Sequence, residues 1–79
     1  MTKHDLLEYL DDAGPVDAHD VARVFTLPYA TAAMALLRLT RQGLAQRYVE
    51  PESTVYWYAL SHHGAERLAY FETLEEKFD

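Results

Sequence analysis

The 79-residue chain has no cysteine. Disulfide staples and thiolate metal sites are therefore excluded. Glycine and proline are scarce, three of each, so turns fall at a few defined points. No apolar run approaches the roughly 18 residues that a membrane-spanning helix requires. The acidic start, MTKHDLLEYLDD, lacks the apolar centre of a secretion signal. The expectation is a cytoplasmic protein with no membrane contact. There is no Gly-rich phosphate loop and no HExxH-type spacing. His62 and His63 are adjacent and diverge on a helix, and His4 and His19 stand apart from them. No serine sits in a nucleophile turn. A chain this short also buries too little to wall a deep pocket. Neither an enzyme nor a metal or cofactor site is expected.

Carboxylates are missing from one long stretch. Residues 21–49 carry Arg23, Arg38, Arg41 and Arg47 and no Asp or Glu, a charge of +4. The flanks, 1–20 and 50–79, carry −5 each, giving −6 overall. The net charge opposes a nucleic-acid partner, since phosphate neutralisation drives that affinity. The distribution allows a segregated basic face. It equally fits a segment that is mostly core and needs few charges.

With 49% hydrophobic and 25% charged residues, the composition is that of one globular domain. Leu6, Leu7 and Leu10 share a helical stripe over residues 3–12, with Thr2 placed as N-cap and Asp5 in the capping-box position. Gly14-Pro15 ends that helix, with Gly14 expected in a left-handed cap. Asp17 caps a short second helix over residues 17–25, on which Val21, Val24 and Phe25 are expected to cluster. Thr26-Leu27-Pro28 turns into a third helix, residues 28–42, rich in Ala, Leu, Met and Arg. Ala32, Leu36 and Leu39 form its core stripe, and Gly43 its C-terminal stop.

Residues 44–49 and 54–60 are rich in Tyr, Val, Thr and Trp and flank Glu50-Pro51-Glu52-Ser53, which predicts an antiparallel hairpin with a four-residue turn. Alternation puts Tyr56, Tyr58 and Leu60 on one face and Val55, Trp57 and Ala59 on the other. If the first face is core, Trp57 is exposed as a binding hot spot, unless the last helix or a second copy covers it. Ser61 caps that last helix, residues about 62–78. Its stripe of Leu68, Phe71, Leu74 and Phe78 either packs on the first helix or forms a dimer interface.

The expected class is mainly α with a small β-hairpin, in the order α-α-α-β-β-α. Two passages, LLRLTRQGLAQRYV (36–49) and YWYALSHHGAERL (56–68), resemble the winged helix-turn-helix domains of PadR-like and MarR-like repressors. The resemblance covers nearly the whole chain, as a single domain over 1–79. It implies a helix-turn-helix at about 17–43, a wing at about 44–60, and double-stranded DNA as partner of a homodimeric transcription regulator. Terminal helices make the dimer interface in such proteins, which assigns that role to Leu68, Phe71, Leu74 and Phe78.

In these domains the third helix enters the major groove. Tyr29, Thr31 and Met34 would then face bases, and Arg38, Arg41 and Arg47 would hold phosphates. Two features depart from the pattern. Most reading positions are Ala, Met or Leu rather than hydrogen-bonding residues, and the wing tip bears Glu50 and Glu52 rather than cations. They leave open an alternative: a protein-interaction module that docks through Ala30, Ala33, Met34, Leu37 and Trp57. An acidic protein that occupies another protein's DNA-binding surface is a third reading, which fits the ends of the chain but not its Arg-bearing middle.

Overall fold

The computed structural model describes the backbone over residues 1–78 and the side chains over residues 1–74. Four helices and one hairpin follow in the expected order: α1 (Lys3–Ala13), α2 (Ala18–Phe25), α3 (Tyr29–Arg41), β1 (Ala45–Val49), β2 (Tyr56–Leu60) and α4 (His62–Phe78).

Helix α1 starts at a capping box. The Asp5 N–H donates to Thr2 Oγ1 at 3.1 Å and the Thr2 N–H donates to Asp5 Oδ2 at 2.8 Å. The Thr2 N–H, followed by its hydroxyl, holds the Asp5 carboxyl below the ordinary carboxylate range. The stabilisation this confers is present above that range and is lost as acidification passes the lower folded value. Leu6, Leu7 and Leu10 are buried. Gly14 does end the helix, but with φ −57° and not in the left-handed region. A Cβ there would lie 2.5 Å from the Leu10 carbonyl oxygen, so the position excludes a side chain by contact. The Gly14–Pro15 peptide is cis.

Val16 does something its sequence context did not signal. Its N–H donates to the Tyr58 carbonyl at 2.9 Å, and the Tyr58 N–H donates back at 2.7 Å. One residue thereby adds a third, minimal strand to the hairpin and fastens the α1–α2 connection to β2.

Asp17 and Asp20 form a second capping box at α2, and Asp20 also accepts from Arg23 at 2.8 Å. Ala18 and Val21 are buried, with Ala22 and Phe25 packed against the core. Val24 is 50% exposed, contrary to expectation. An eight-residue helix has one inward stripe, and Ala22 rather than Val24 completes it. Phe25 meets Tyr9 edge-to-face at 5.7 Å, and burial, reinforced by the Asp20 charge, pushes the Tyr9 phenol up.

Ala32, Leu36 and Leu39 are the buried residues of α3. The helix ends in a Schellman arrangement: the Gly43 N–H donates to Thr40 O at 3.0 Å and the Leu44 N–H to Leu39 O at 2.9 Å. Gly43 has φ 75° there, a conformation glycine takes without strain. Leu44 follows directly into the core.

The hairpin register pairs Ala45 with Leu60, Arg47 with Tyr58, Tyr48 with Trp57 and Val49 with Tyr56. The loop is longer than the expected four residues. Ser53 Oγ captures the Val55 N–H at 3.0 Å, so Thr54 and Val55 stay outside the ladder. Tyr56 is 47% exposed although it shares a face with buried Tyr58. Only the base of the hairpin lies over the core, and the wing projects beyond it.

Helix α4 is seated by Ser61. Its hydroxyl donates to the Gly43 carbonyl at 2.7 Å and accepts from the buried Gly64 N–H at 2.9 Å. The Ser61 N–H donates to Leu44 O at 3.1 Å. The approach is so close that a Cβ on Gly64 would collide with the Leu44 carbonyl oxygen. Leu68, assigned above to a dimer interface, is 4% exposed. It is spent on the chain's own core and has no surface to offer a second copy. Phe71 is half-buried and stacks on the His4 ring of α1 at 5.4 Å. Leu74 is half-buried, and the Phe78 side chain lies outside the described residues.

Replacing Ser61 with Ala leaves a buried N–H and a carbonyl unpaired at once. A loss of about 1–3 kcal/mol in urea unfolding is expected. Gly64→Ala is expected to cost about 1–3 kcal/mol through forced displacement of α4 from the Leu44 backbone, with the same measurement as the check.

Candidate nucleic-acid interface

The turn between α2 and α3 sets how α3 is presented. Thr26 carries φ 53° and ψ 55°, in the left-handed region. A β-branched residue there is an outlier. It is held because the Leu27 N–H donates back to the Ala22 carbonyl at 2.9 Å. Pro28 then supplies φ −59° at the N-cap of α3 and makes no side-chain cap. The result is two helices in contact across a three-residue turn, with the outer side of α3 turned away from the core.

That outer side carries no acidic residue in its first turn and has Arg38 and Arg41 in its last turn. Cations there also meet the negative end of the helix dipole. Ala30, Thr31, Arg38 and Arg41 are exposed, as are Tyr29 at 53% and Met34 at 43%. Ala33 and Leu37, expected on this face, are half-buried because they tilt toward the wing.

Two depressions flank α3. On the wing side lies a cleft of about 380 Å³ whose walls include Tyr29, Met34, Leu37, Arg47 and Tyr56. The Arg47 guanidinium sits 4.4 Å from the centre of the Tyr56 ring, a cation–π contact. The Tyr29 ring lies 4.5 Å from that of His19 on α2. On the opposite side is a groove of about 290 Å³ between α3 and the start of α1, lined by Lys3, Thr31, Ala35, Arg38 and Gln42 among others.

The six residues singled out in the sequence thus divide. Tyr29, Met34 and Arg47 share the wing-side cleft. Thr31 and Arg38 share the α1-side groove. Arg41 is exposed in the last turn, between the two. Arg38 and Arg47 therefore do not converge on one pocket; they lie to either side of the helix crest. Lys3 was not anticipated here. It stands 28 positions from Thr31 in the chain, and only the packing of α1 brings it to the same groove.

Trp57 falls between the two alternatives that the sequence leaves open, exposure and cover. It is half-buried, opposite Tyr48 in the ladder, and shares a shallow depression with Pro15 and Glu50. Alternation along β2 puts it on the hairpin face away from Tyr56 and Tyr58. Trp57 and the apolar side of α3 do not form one surface. The wing tip, Glu50-Pro51-Glu52, is solvent-exposed. Among the described residues, no helix is long and apolar enough to cross a membrane.

A helix-turn-helix with a two-stranded wing after its second helix defines the winged-helix class. No protein-family model matches the chain, and no curated protein matches it. Its fold is similar to that of solved transcription regulators. MepR, a transcription regulator of the Staphylococcus aureus multidrug efflux pump MepA, superposes with TM-score 0.83 at 20% identity over 96% of this chain and 57% of that one. The structure of S. aureus MepR in complex with DNA gives TM-score 0.85 at 22% identity, over 96% and 64%. MarR gives TM-score 0.82 at 22% identity, over 95% and 52%. The chain spans somewhat more than half the length of these proteins, and the likeness establishes the winged-helix fold.

Relieving the left-handed strain is expected to stabilise the turn. Thr26→Gly should raise the unfolding free energy by about 0.5–1 kcal/mol, the left-handed penalty less the added chain entropy. A thermal melt checks it; a fall in Tm would show that the Thr26 side chain contributes more than the strain removes.

Proposed function

We propose that this chain is the DNA-binding domain of a transcription regulator and that α3 lies in the major groove of double-stranded DNA. The observation that carries this reading is the outer side of α3. It is exposed, free of carboxylates, and equipped with Arg38 and Arg41, in a fold shared with MepR, whose structure in complex with DNA is known. Phosphate contacts come from Arg38 and Arg41, with Arg47 reaching from the wing side and Lys3 from the α1 side. Tyr29, Thr31 and Met34 belong to the half of α3 that meets base edges in such domains. The exposed carboxylates lie off α3, on the outer side of α1, on α4 and at the wing tip; Asp17 stands at the edge of the wing-side cleft. They orient the domain, since only one side of the molecule tolerates a phosphate backbone. On this reading the role is binding rather than catalysis, with the cytoplasm as the proposed location.

We further propose that the regulator works as a homodimer, as two-fold DNA sites favour. With Leu68 and Phe71 engaged inside the chain, the interface falls to the other side of α4, where Tyr70 is 58% exposed and Leu74, one turn on, is half-buried. Sedimentation of the wild type against Tyr70→Glu/Leu74→Glu tests this. A wild-type dimer dissociated by the substitutions is expected; a wild-type monomer at high concentration overturns it.

Binding to mixed-sequence duplex should weaken steeply with salt. Arg38→Ala/Arg41→Ala should lower affinity at every sequence and reduce the slope of log K against log salt by about 2, one unit for each lost phosphate contact. Fluorescence anisotropy at several salt concentrations measures both, and no binding at low salt would refute the DNA reading. Glu50→Lys/Glu52→Lys should act in the opposite sense, raising affinity and steepening the slope, because it replaces two repulsive carboxylates at the wing tip with two cations that can meet phosphates.

A further inference from the structure

The groups that α3 presents to a major groove are few and of one kind. Arg38 and Arg41 occupy its last turn, one exposed residue each. At the N-terminal half, Ala30 and Met34 are four residues apart and therefore stand one above the other on the same side. Both are exposed, Met34 with 43% of its surface free. The hydrogen-bonding side chains of the same half are exposed as well, but stand to either side of that line. Thr31 lines the groove beside Lys3, and Tyr29 rests against His19. Gln42, at the C-cap, lines that same α1-side groove. The crest of that half, opposite the buried stripe of Ala32, Leu36 and Leu39, carries a methyl and a thioether.

Base edges in the major groove are donors and acceptors with one exception. Thymine carries a 5-methyl group, the only apolar feature that any base pair displays there. An apolar crest gains nothing from a guanine O6 or a cytosine amine. Against a thymine methyl it buries hydrocarbon on both sides, and methionine's flexible, polarizable chain adapts to the contact. The flanking arginines complement the phosphates that border the groove. The surface is thus apolar at its centre and cationic at one end, matching a methyl-lined groove between anionic strands.

We propose that α3 selects thymine-rich DNA by contact of Ala30 and Met34 with thymine 5-methyl groups, the arginines supplying sequence-independent affinity. This rests on the DNA-binding reading above and adds the class of sequence that the domain prefers.

The test compares duplexes that differ only in that methyl. The full chain is titrated by anisotropy with 20-base-pair duplexes of dA·dT, of dA·dU and of mixed G·C-rich sequence, at low and moderate salt. Hydrogen-bonding groups are identical in dA·dT and dA·dU, so any difference reports the methyl. Binding is expected to weaken about fourfold for each methyl contacted when thymine is replaced by uracil, the equivalent of one buried carbon. The salt slope should not change. Met34→Ala, at an exposed position that does not disturb folding, should narrow the gap between dA·dT and dA·dU and leave the salt slope intact. Equal affinity for dA·dT and dA·dU overturns the proposal while leaving DNA binding standing. A gap that Met34→Ala does not narrow overturns the assignment to these residues. Absence of binding to all three duplexes at low salt refutes DNA binding itself, and the methyl reading with it.

Discussion

A single hydroxyl joins the two halves of this molecule. Ser61 donates to the carbonyl of Gly43, the residue that ends α3, and accepts from the N–H of Gly64, in the first turn of α4. Its own N–H holds Leu44. Both ends of the hairpin, the C-terminus of α3 and the N-terminus of α4 therefore meet at one buried polar point. A buried hydroxyl with both its donor and acceptor capacity met is stabilising, and half-met it is costly. The node explains why Gly43 must adopt a left-handed conformation and why Gly64 must lack a side chain. Each lets backbone approach backbone at the distance that the hydroxyl spans.

From that node the placement of α3 follows. Its inner stripe of Ala32, Leu36 and Leu39 joins the core with α3 packed on α2 and β1, and the same helix cannot also turn Arg38 and Arg41 inward. The wing is anchored from the other side by the Val16–Tyr58 bridge, which leaves its tip free of the core. The two depressions beside α3 differ in character as a consequence. The wing-side cleft mixes aromatic and apolar side chains with Asp17, His19 and Arg47, and the α1-side groove is bordered by Lys3 and Arg38. Charge is only partly sorted by geometry: α3 itself carries cations alone, while carboxylates lie on α1, α2, α4 and the wing tip, with Asp17 beside the wing-side cleft.

Much of the fold was legible because short-range chemistry decided it. Thr2 with Asp5, and Asp17 with Asp20, announce helix starts three residues apart, and both capping boxes form. Gly43 announces a helix stop, and the hydrophobic spacing of α3 named its three buried residues. The errors share another origin. Val24 was placed inward by its apolarity, but a short helix has room for one stripe. Tyr56 was placed inward by alternation, but alternation is blind to how far along a strand the core extends. Leu68 and Phe71 were left open between α1 and a partner, because a sequence does not reveal how much of a long stripe α1 can absorb.

For this protein the sequence by itself determined where helices begin and stop, where the hairpin turns, and that residues 21–49 carry only positive charge. Those properties depend on neighbours within about four positions, or on composition alone. Only the tertiary structure decided which of the arginines share a surface, that Lys3 joins Arg38, that Trp57 turns away from α3, and that Val16 closes the sheet. These depend on how the helices and the hairpin pack, which no pattern along the chain sets.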